Sequence, residues 1–219
     1  MKIIWHGHSC FQIESSPQKN EKPISLVIDP FSEEIGLKLP KMEADILLVT
    51  HEHYDHNNIK GVLGSPFLIT APGEYELKKI FIQGISSFHD NVEGSKRGKN
   101  TIYIIEVEKI KVCHLGDLGQ TELSAEQLEK IGEVDVLILP VGGTYTIGAK
   151  EVPRIISQIE PKIVIPMHYQ LPKIKIKLDT VDSFLKTIGK KEIKPQDKLK
   201  IQKKDLDRDG FEVVVLTPK

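Results

Sequence analysis

The first half of the chain alternates short apolar runs with polar segments, which is typical of a β-rich region. The runs either repeat with a period of two or are apolar throughout, as expected for half-buried and fully buried strands. Strands are predicted at residues 3–6, 11–14, 25–29, 46–50, 67–70, 80–85, 101–107 and 111–115. The last two should form a hairpin that turns at Glu108 and Lys109. A short helix is predicted at residues 57–61.

The second half changes to an alternation of helices and strands. Ser124 and Gln127 form a capping-box pattern, and Gly132 is well placed to end the helix that begins there. Pro153 is tolerated in the first turn of a second helix, and Pro161 ends it. The predicted helices are 125–132, 151–159 and 181–188. The predicted strands are 135–140, 162–166, 198–202 and 212–216, the last two joined by a turn at 205–210.

Length and charge restrict the class of protein further. A chain of 219 residues without a visible linker predicts a single domain, 1–219. Thirty Lys and Arg residues against 31 Asp and Glu residues give a net charge of −1, which argues against nucleic-acid and anionic-membrane binding. Cys10 and Cys113 are too few for a disulfide scaffold, and we find no apolar signal core or membrane-length apolar run. We therefore expect a soluble cytoplasmic protein.

The segment 50–56 carries the most informative chemistry. Directly after the apolar run 45–49 it places His51, His53, Asp55 and His56 within six positions. Imidazole and carboxylate ligands suit zinc, manganese or iron. His51 and His53 face the same way on an extended backbone, whereas Asp55 and His56 are adjacent and need a turn. The spacing suits two metal ions side by side; the alternative is a polar loop that happens to be rich in histidine.

Other polar residues also follow strand-like runs. They are Asp29 after the strand 25–29, His89 after 80–85, His114 and Asp117 after 111–115, and His168 after 162–166. Loops at strand ends, held by a rigid sheet, are where α/β proteins gather binding residues. The sequence therefore predicts that these side chains meet the histidine-rich segment at one edge of a sheet.

In this order the motifs resemble the signature of the metallo-β-lactamase superfamily. The segment from His51 to His56, the later His89, Gly116-Asp117 and His168, and the upstream Asp29 carry the resemblance. It covers about residues 1–170. The opening Trp-His-Gly-His-Ser at 5–9 looks most like the branch that includes ascorbate-6-phosphate lactonase and N-acylphosphatidylethanolamine phospholipase D. The resemblance implies an α/β fold, a four-layer αβ/βα sandwich with a two-metal site at one edge.

The same resemblance implies a ligand set and an activity. One metal would be held by His51, His53 and His89. The other would be held by Asp55, His56 and His168, with Asp117 bridging the two. Two divalent ions, zinc first and manganese or iron as alternatives, can lower the pKa of a shared water so that it attacks as hydroxide. The expected activity is hydrolysis of a small ester, lactone or phosphodiester, with Asp55 orienting the water or carrying a proton.

Four further residues are candidates for supporting roles. Asp29 is interpreted as a hydrogen-bond acceptor for a ligand imidazole, or alternatively as a turn residue before a proline. His8 and His114 are candidates to line the pocket, bind substrate or orient a ligand, rather than to bind metal directly. Tyr145 follows a glycine pair and offers a hydroxyl, although that segment also reads as an ordinary strand-to-helix turn.

Two basic clusters offer a choice between substrate selection and a simple surface role. Lys96, Arg97 and Lys99 lie in a glycine-containing loop at 91–100 that we expect to be mobile and solvated. A second cluster alternates with apolar residues, as in an edge strand protected from pairing. Its members are Lys173, Lys175 and Lys177.

Three alternatives to the hydrolase remain. A di-iron redox enzyme of the same fold would replace the second signature histidine by glutamate and carry a flavin domain, whereas His53 stands here and no flavodoxin-like segment follows. A non-catalytic module that uses metal only to fold is a second alternative. A nuclease of the superfamily is the third, and this neutral chain lacks the basic arms expected for it.

Overall fold

The computed structural model describes residues 1–16, 22–207 and 210–219. Two large β-sheets and three short α-helices form most of it. The strands, in chain order, are β1 (Lys2–Gly7), β2 (Cys10–Glu14), β3 (Ser25–Ile28), β4 (Met42–Glu43), β5 (Ile46–Leu48), β6 (Val62–Leu63), β7 (Phe67–Ile69), β8 (Gly73–Leu77), β9 (Ile80–Phe88), β10 (Lys99–Val107), β11 (Ile110–His114), β12 (Val136–Pro140), β13 (Ile163–Met167), β14 (Leu199–Lys200) and β15 (Glu212–Val213). The helices are α1 (Ala125–Ile131), α2 (Val152–Ile159) and α3 (Val181–Thr187). Short 3-10 helices occupy Glu33–Ile35, Ile59–Gly61 and Lys203–Leu206.

The two sheets share one design, an antiparallel part followed by a parallel part. The first sheet has the order β14-β1-β2-β3-β5-β7, and pairing becomes parallel from β3 to β7. The second has the order β15-β13-β12-β11-β10-β9-β8, and pairing is parallel from β11 to β15. β4 and β6 form a small separate parallel pair. Parallel pairing matters for the site, because it brings the carboxyl ends of neighbouring strands to one edge.

Local sequence explains the tight turns of the second sheet. β10 and β11 pair up to Val107 and Ile110, so the hairpin turns at Glu108 and Lys109 as predicted. Both residues have positive φ, 55° and 63°, the conformation that matches a two-residue turn to the twist of the strands. β8 and β9 turn in the same way at Lys78 and Lys79. β8 was not predicted, because its sequence Gly-Glu-Tyr-Glu-Leu has little of the apolar character expected of a strand.

The sheets pack against each other through a shared hydrophobic core. Buried residues from Met1 to Leu216 belong to one cluster. The fully buried Tyr103 of β10 donates its hydroxyl to the carbonyl oxygen of Val49 at 3.0 Å, and the amide of Thr101 donates to Thr50 at 2.9 Å. These contacts fix the carboxyl end of β5 against the second sheet. Among the described residues no helix is long and apolar enough to span a membrane.

Most predicted elements are present with small shifts at their ends. The capping box is confirmed, with the Ser124 hydroxyl and the Gln127 side chain each accepting the other's backbone N–H. The C-terminal strands are shorter than predicted, yet β14 pairs with β1 and β15 pairs with β13, so the tail completes one edge of each sheet. Of the predicted turn 205–210, residues 208–209 lie outside the described residues.

One prediction for the basic clusters is wrong. The segment that carries Lys173, Lys175 and Lys177 is not a strand. Ile174 and Leu178 are buried in the core, and the Lys175 amide donates to Ile35 at 2.8 Å, so the alternation reflects an irregular segment that covers the core.

Candidate metal centre

Strand ends bring the predicted site residues together. Asp29 follows β3 and the segment 50–56 follows β5 in the first sheet. His89 follows β9, Asp117 follows β11 and His168 follows β13 in the second. All of these meet at the edge where both sheets end, as the order of motifs predicts.

The first histidine group consists of His51, His53 and His89. One nitrogen from each ring lies within 4.8 Å of the others. The ring centroids are 4.6 to 5.0 Å apart, and the rings are tilted or edge-on to one another. His51 and His89 are buried, whereas His53 is half-buried. Three imidazole nitrogens at this spacing are a donor set that suits one borderline metal ion.

The second group consists of His8, Asp55, His56 and His168, whose ligand atoms also lie within 4.8 Å of one another. The sequence predicted the last three as a set. His8 joins them because its Nε2 lies 3.1 Å from Oδ2 of Asp55 and its ring lies 4.2 Å from that of His168. All three rings are buried, and the Asp55 side chain is 13% exposed.

Asp117 lies between the two groups. Four imidazole Nε2 atoms surround its Oδ2, those of His56 and His168 at 3.2 Å, His89 at 3.3 Å and His51 at 4.0 Å. Its Oδ1 is buried without a hydrogen-bond partner among the described residues. A carboxylate between two imidazole clusters has the position expected of a ligand shared by two cations.

Hydrogen bonds behind the rings fix which ring nitrogen faces the site. Asp29 accepts from the Thr50 amide at 2.8 Å and the Thr50 hydroxyl at 2.7 Å, and it pairs with Nδ1 of His56 at 2.9 Å. The Thr50 hydroxyl in turn lies 2.9 Å from Nδ1 of His51. Since this network engages Nδ1 of both imidazoles, both Nε2 atoms face the site. Asp29 therefore contacts one ring directly and the other through Thr50, the position expected of a residue that orients candidate ligands.

The pKa shifts follow from burial and from the carboxylates. Burial, with the neighbouring His56, lowers the pKa of His51 to about 2. Burial also acts against protonation of His56, but Asp117 and Asp29 outweigh it and raise the pKa of that imidazole well above its ordinary range. For Asp117 the two nearest imidazoles outweigh burial and lower the pKa of the carboxyl. The carboxylates thus create a demand for positive charge at the centre of the site.

The backbone is strained at three site residues. His8, Asp29 and His168 have positive φ values of 52°, 49° and 51°. A left-handed conformation costs a non-glycine residue on the order of 1–3 kcal/mol and is concentrated at functional sites. The carbonyl of His8 accepts from the Trp5 indole at 3.0 Å and from the His168 amide at 3.1 Å, which holds two of these residues together.

His114 and Asn100 position the Asp117 loop without facing the cluster. Nδ1 of His114 accepts from the Gly116 amide, and Nε2 pairs with the Ser9 carbonyl, both at 3.1 Å. Both ring nitrogens are thus engaged, and none is left for a metal. The Asn100 side chain accepts from the Asp117 amide at 3.0 Å and donates to the Leu115 carbonyl at 2.9 Å. Sequence reasoning missed Asn100, whose only signal is a polar residue at the start of a strand.

Gly116 is required by this arrangement. Its φ is +55°, and a Cβ atom there would lie 2.3 Å from Oδ1 of Asn100 and 2.8 Å from Cβ of Thr50. Any larger residue would push the Asp117 loop away from the segment after β5.

Tyr145 lies beside the histidine cluster rather than in it. It is 36% exposed and lines a cavity of about 780 Å³ that begins at His89. Tyr54, between His53 and Asp55, is 53% exposed. The cluster is therefore reached from a surface that presents aromatic side chains.

Sequence comparisons relate the chain to known proteins. Residues 2–168 match the family described as the β-lactamase superfamily domain. A UPF0173 metal-dependent hydrolase of Thermoplasma volcanium is 32% identical over 198 residues, covering 77% of this chain and 83% of that protein.

Solved structures agree with these matches. A Thermotoga maritima protein solved as a member of the metallo-β-lactamase superfamily is 37% identical, with a TM-score of 0.77 over 98% of this chain and 97% of that one. The di-iron β-hydroxylase CmlA of Streptomyces venezuelae is 14% identical, with a TM-score of 0.62 over 92% of this chain and 54% of that one. The second likeness is one of fold alone.

Proposed function

This chain belongs to the metallo-β-lactamase superfamily, and from that premise we propose that it is a two-metal hydrolase of small esters, lactones or phosphodiesters. The observation that carries the proposal is the meeting of two imidazole groups around one carboxylate oxygen of Asp117. The relative from Thermoplasma is named a metal-dependent hydrolase. The Thermotoga protein is described as a candidate zinc-dependent hydrolase.

The donor atoms fit a pair of divalent cations. Nε2 of His51, Nε2 of His56 and Oδ1 of Asp117 are buried without hydrogen-bond partners among the described residues. Unsatisfied buried polar atoms are costly, so a cluster of them points to a partner that protein atoms do not supply. In this proposal His51, His53 and His89 hold one cation, Asp55, His56 and His168 hold the other, and Asp117 contacts both. His8 donates from Nε2 to Asp55 and supports this set without binding metal. Zinc suits the imidazole-rich set, and manganese or iron would also fit.

When bound, such a metal pair lowers the pKa of a water molecule and polarises the oxygen of the bond under attack. The chain itself supplies the handling of protons. Asp55 is held at Oδ2 by His8 and remains partly exposed, so its carboxylate faces the region where substrate would enter. Burial alone would raise the pKa of Asp55, but the His8 contact and the nearby His56 lower it, which keeps the carboxylate ionised. We assign Asp55 to orient the attacking water and to pass its proton to the leaving group.

A di-iron redox function is the second candidate, because the fold is shared with a di-iron hydroxylase. Two features favour hydrolysis. His53 stands where the redox relatives implied by the sequence resemblance have glutamate, and imidazole-rich sites suit zinc well. The two functions differ in their need for oxygen, which makes them simple to separate.

The test is hydrolysis by protein reconstituted with zinc, manganese or iron, under air and under nitrogen. A panel of nitrophenyl esters, lactones and bis(4-nitrophenyl) phosphate covers the proposed bonds. We expect turnover of at least one class with zinc or manganese, independent of oxygen, lost with chelator and restored by metal. Turnover that requires iron and consumes oxygen would contradict the hydrolase and favour the redox enzyme.

Two variants link that activity to the site. Asp55→Asn should lower hydrolysis by about 10²–10⁴-fold, the usual contribution of a positioned acid or base. Lys175→Ala serves as the control, because Lys175 lies in the irregular segment that covers the core, and it should leave hydrolysis unchanged. Equal activities of the two variants would remove Asp55 from the mechanism.

A further inference from the structure

The cavity that begins at His89 has one wall built from a single loop. Residues 90–98 follow His89 directly, and the rest of the lining comes mainly from Gly143–Glu151 and from α3. At about 780 Å³ the cavity is large enough for a small-molecule substrate. The loop therefore connects the candidate metal centre to the region where the rest of a substrate would lie.

Asp90 accepts hydrogen bonds from four backbone amides of this loop. Its Oδ1 accepts the amides of Val92 and Gly94 at 2.9 and 2.8 Å, and its Oδ2 accepts those of Lys96 and Arg97 at 2.9 and 2.8 Å. The His89 amide also donates to Gly98 at 3.1 Å. The loop is exposed, as the expectation of a solvated loop requires, and its backbone is hydrogen-bonded to Asp90 and His89. These hydrogen bonds define the backbone from which its basic side chains extend.

Arg97 extends from that backbone over an aromatic ring. Its guanidinium carbon lies 4.4 Å from the ring centroid of Tyr145, within the range of a cation–π contact. In the described part of the chain no carboxylate lies within 4.0 Å of this guanidinium, unlike that of Arg154, which pairs with Glu122. The planar group is thus oriented by Tyr145 while its donors stay free for an anion.

More basic than acidic side chains line the cavity. Four basic side chains line it, those of Lys96, Arg97, Lys150 and Lys186. Three acidic residues also line it, and two of them are engaged by backbone amides: Asp90 as above, and Glu151 by the amide of Gly148 at 3.0 Å. The third, Asp179, lies near Gly143. Arg97 consequently faces a region where a substrate anion meets more positive than negative charge.

We propose that Arg97 and Tyr145 form a subsite that binds an oxyanion of the substrate, a carboxylate or phosphate group remote from the bond that is hydrolysed. The inference rests on the proposed hydrolase function and adds a substrate class to it. Arg97 binds the anion through its parallel N–H donors. Tyr145 keeps the guanidinium in place and offers its ring to the adjoining part of the substrate.

The test compares two esters that differ only in a terminal charge. Mono-4-nitrophenyl adipate and 4-nitrophenyl hexanoate share a leaving group and a chain length. In zinc-loaded protein, Arg97→Gln should lower kcat/KM for the adipate by about 10- to 100-fold, mainly through KM, and change the hexanoate by less than about threefold. Lys99→Gln is the matched control. Lys99 also carries one positive charge and lies two residues after Arg97, but it does not line the cavity. It should leave both esters unchanged.

Further measurements identify which oxyanion the subsite binds, and they distinguish failure of the subsite from failure of the proposed hydrolase function. Inhibition of hexanoate hydrolysis by inorganic phosphate and by acetate identifies the preferred anion, and Arg97→Gln should weaken that inhibition by about tenfold. Equal loss for both esters, or no loss for either, would overturn the subsite. If the unmodified protein cleaves neither ester, that failure counts against the proposed ester hydrolysis. The subsite is then read from calorimetric binding of phosphate, where a tenfold weaker Kd for Arg97→Gln than for Lys99→Gln supports it and equal values overturn it.

Discussion

The two histidine groups of the candidate centre are built differently. The first, with His53 at its edge, is made only of imidazoles and is partly open to solvent. The second contains a carboxylate, Asp55, and its three imidazoles are fully or almost fully buried. Behind the second group stands another buried carboxylate, Asp29, whereas the first is backed by the hydroxyl of Thr50.

This difference predicts how tightly each group would bind a cation. A divalent ion in a buried place needs opposite charge to offset its desolvation, and only the second group supplies it from its own members and from Asp29. The first group depends entirely on the shared Asp117 for that charge, and Asp117 also adds to the negative charge at the second. We therefore expect the second group to hold its cation more tightly, and the first to exchange it more readily through the half-buried His53.

Replacing Asp117 should have the largest effect, because it serves both groups. Asp117→Asn keeps the shape of the side chain but removes the shared charge. We expect loss of tight binding of both cations and a fall in hydrolysis on the order of 10³-fold, since the charge that organises the centre is gone. Elemental analysis and the ester assay measure the two effects. Full metal content with full activity would show that the two groups act independently.

Single replacements in each group should show which of the two cations is held more tightly. His168→Ala and His53→Ala should each reduce metal content from two equivalents to about one per chain. The retained ion should differ: chelator should remove it quickly from His168→Ala, which keeps the exposed first group, and slowly from His53→Ala. The rate of loss to a colorimetric chelator measures this. Identical rates would mean that burial and charge do not distinguish the groups.

Asp29→Asn should affect the second group more than the first, because Asp29 contacts His56 directly and reaches His51 only through the Thr50 hydroxyl. It removes the charge that faces Nδ1 of His56 while it leaves every ligand in place. Loss of such an outer partner typically lowers metal affinity by 10- to 100-fold, about 1.4–2.7 kcal/mol. Competition with a chelator of known affinity should place the weakening on one of the two cations. Equal weakening of both would contradict the separation of the groups.

Replacement of His114 should have the smallest effect. It should change only the stability of metal-free protein at acidic pH. Burial lowers the pKa of His114 below its ordinary 6.5, so as the pH falls through 6.5 the unfolded chain takes up this proton before the folded one. The contribution of this histidine to the free energy of unfolding is therefore complete above about pH 6.5 and decreases below it. In chelator-treated protein, His114→Gln should show a smaller loss of denaturant midpoint between pH 7.5 and 5. If the denaturant midpoint of His114→Gln falls with pH as steeply as that of wild type, the acid sensitivity comes from other histidines.

Much of this centre was predictable from sequence because its residues follow strands. Linear spacing alone identified His51, His53 and His56, since three imidazoles directly after one buried strand form a donor set typical of a metal site. The order of the later motifs added His89 and His168, which parallel and antiparallel pairing bring to the same edge.

The remaining parts depend on long-range contacts that no local pattern reports. His8 and Asp55 are 47 residues apart, and their approach depends on a left-handed turn at His8. Asn100 holds the Asp117 loop through a network closed only by the fold. The hydrogen bonds within the loop after His89 were not predicted for the same reason, because Asp90 accepts amides up to seven residues later in the chain.

The most direct test of the two-cation centre is metal content per chain in untagged protein purified without chelator. The two-cation centre predicts close to two equivalents of zinc or manganese in wild type, and fewer than about 0.2 equivalents in Asp117→Asn, a tenth of that occupancy. One equivalent or none in wild type, persisting after reconstitution with excess metal, would contradict it. Two equivalents retained by Asp117→Asn would leave the metals in place but show that Asp117 is not their shared ligand.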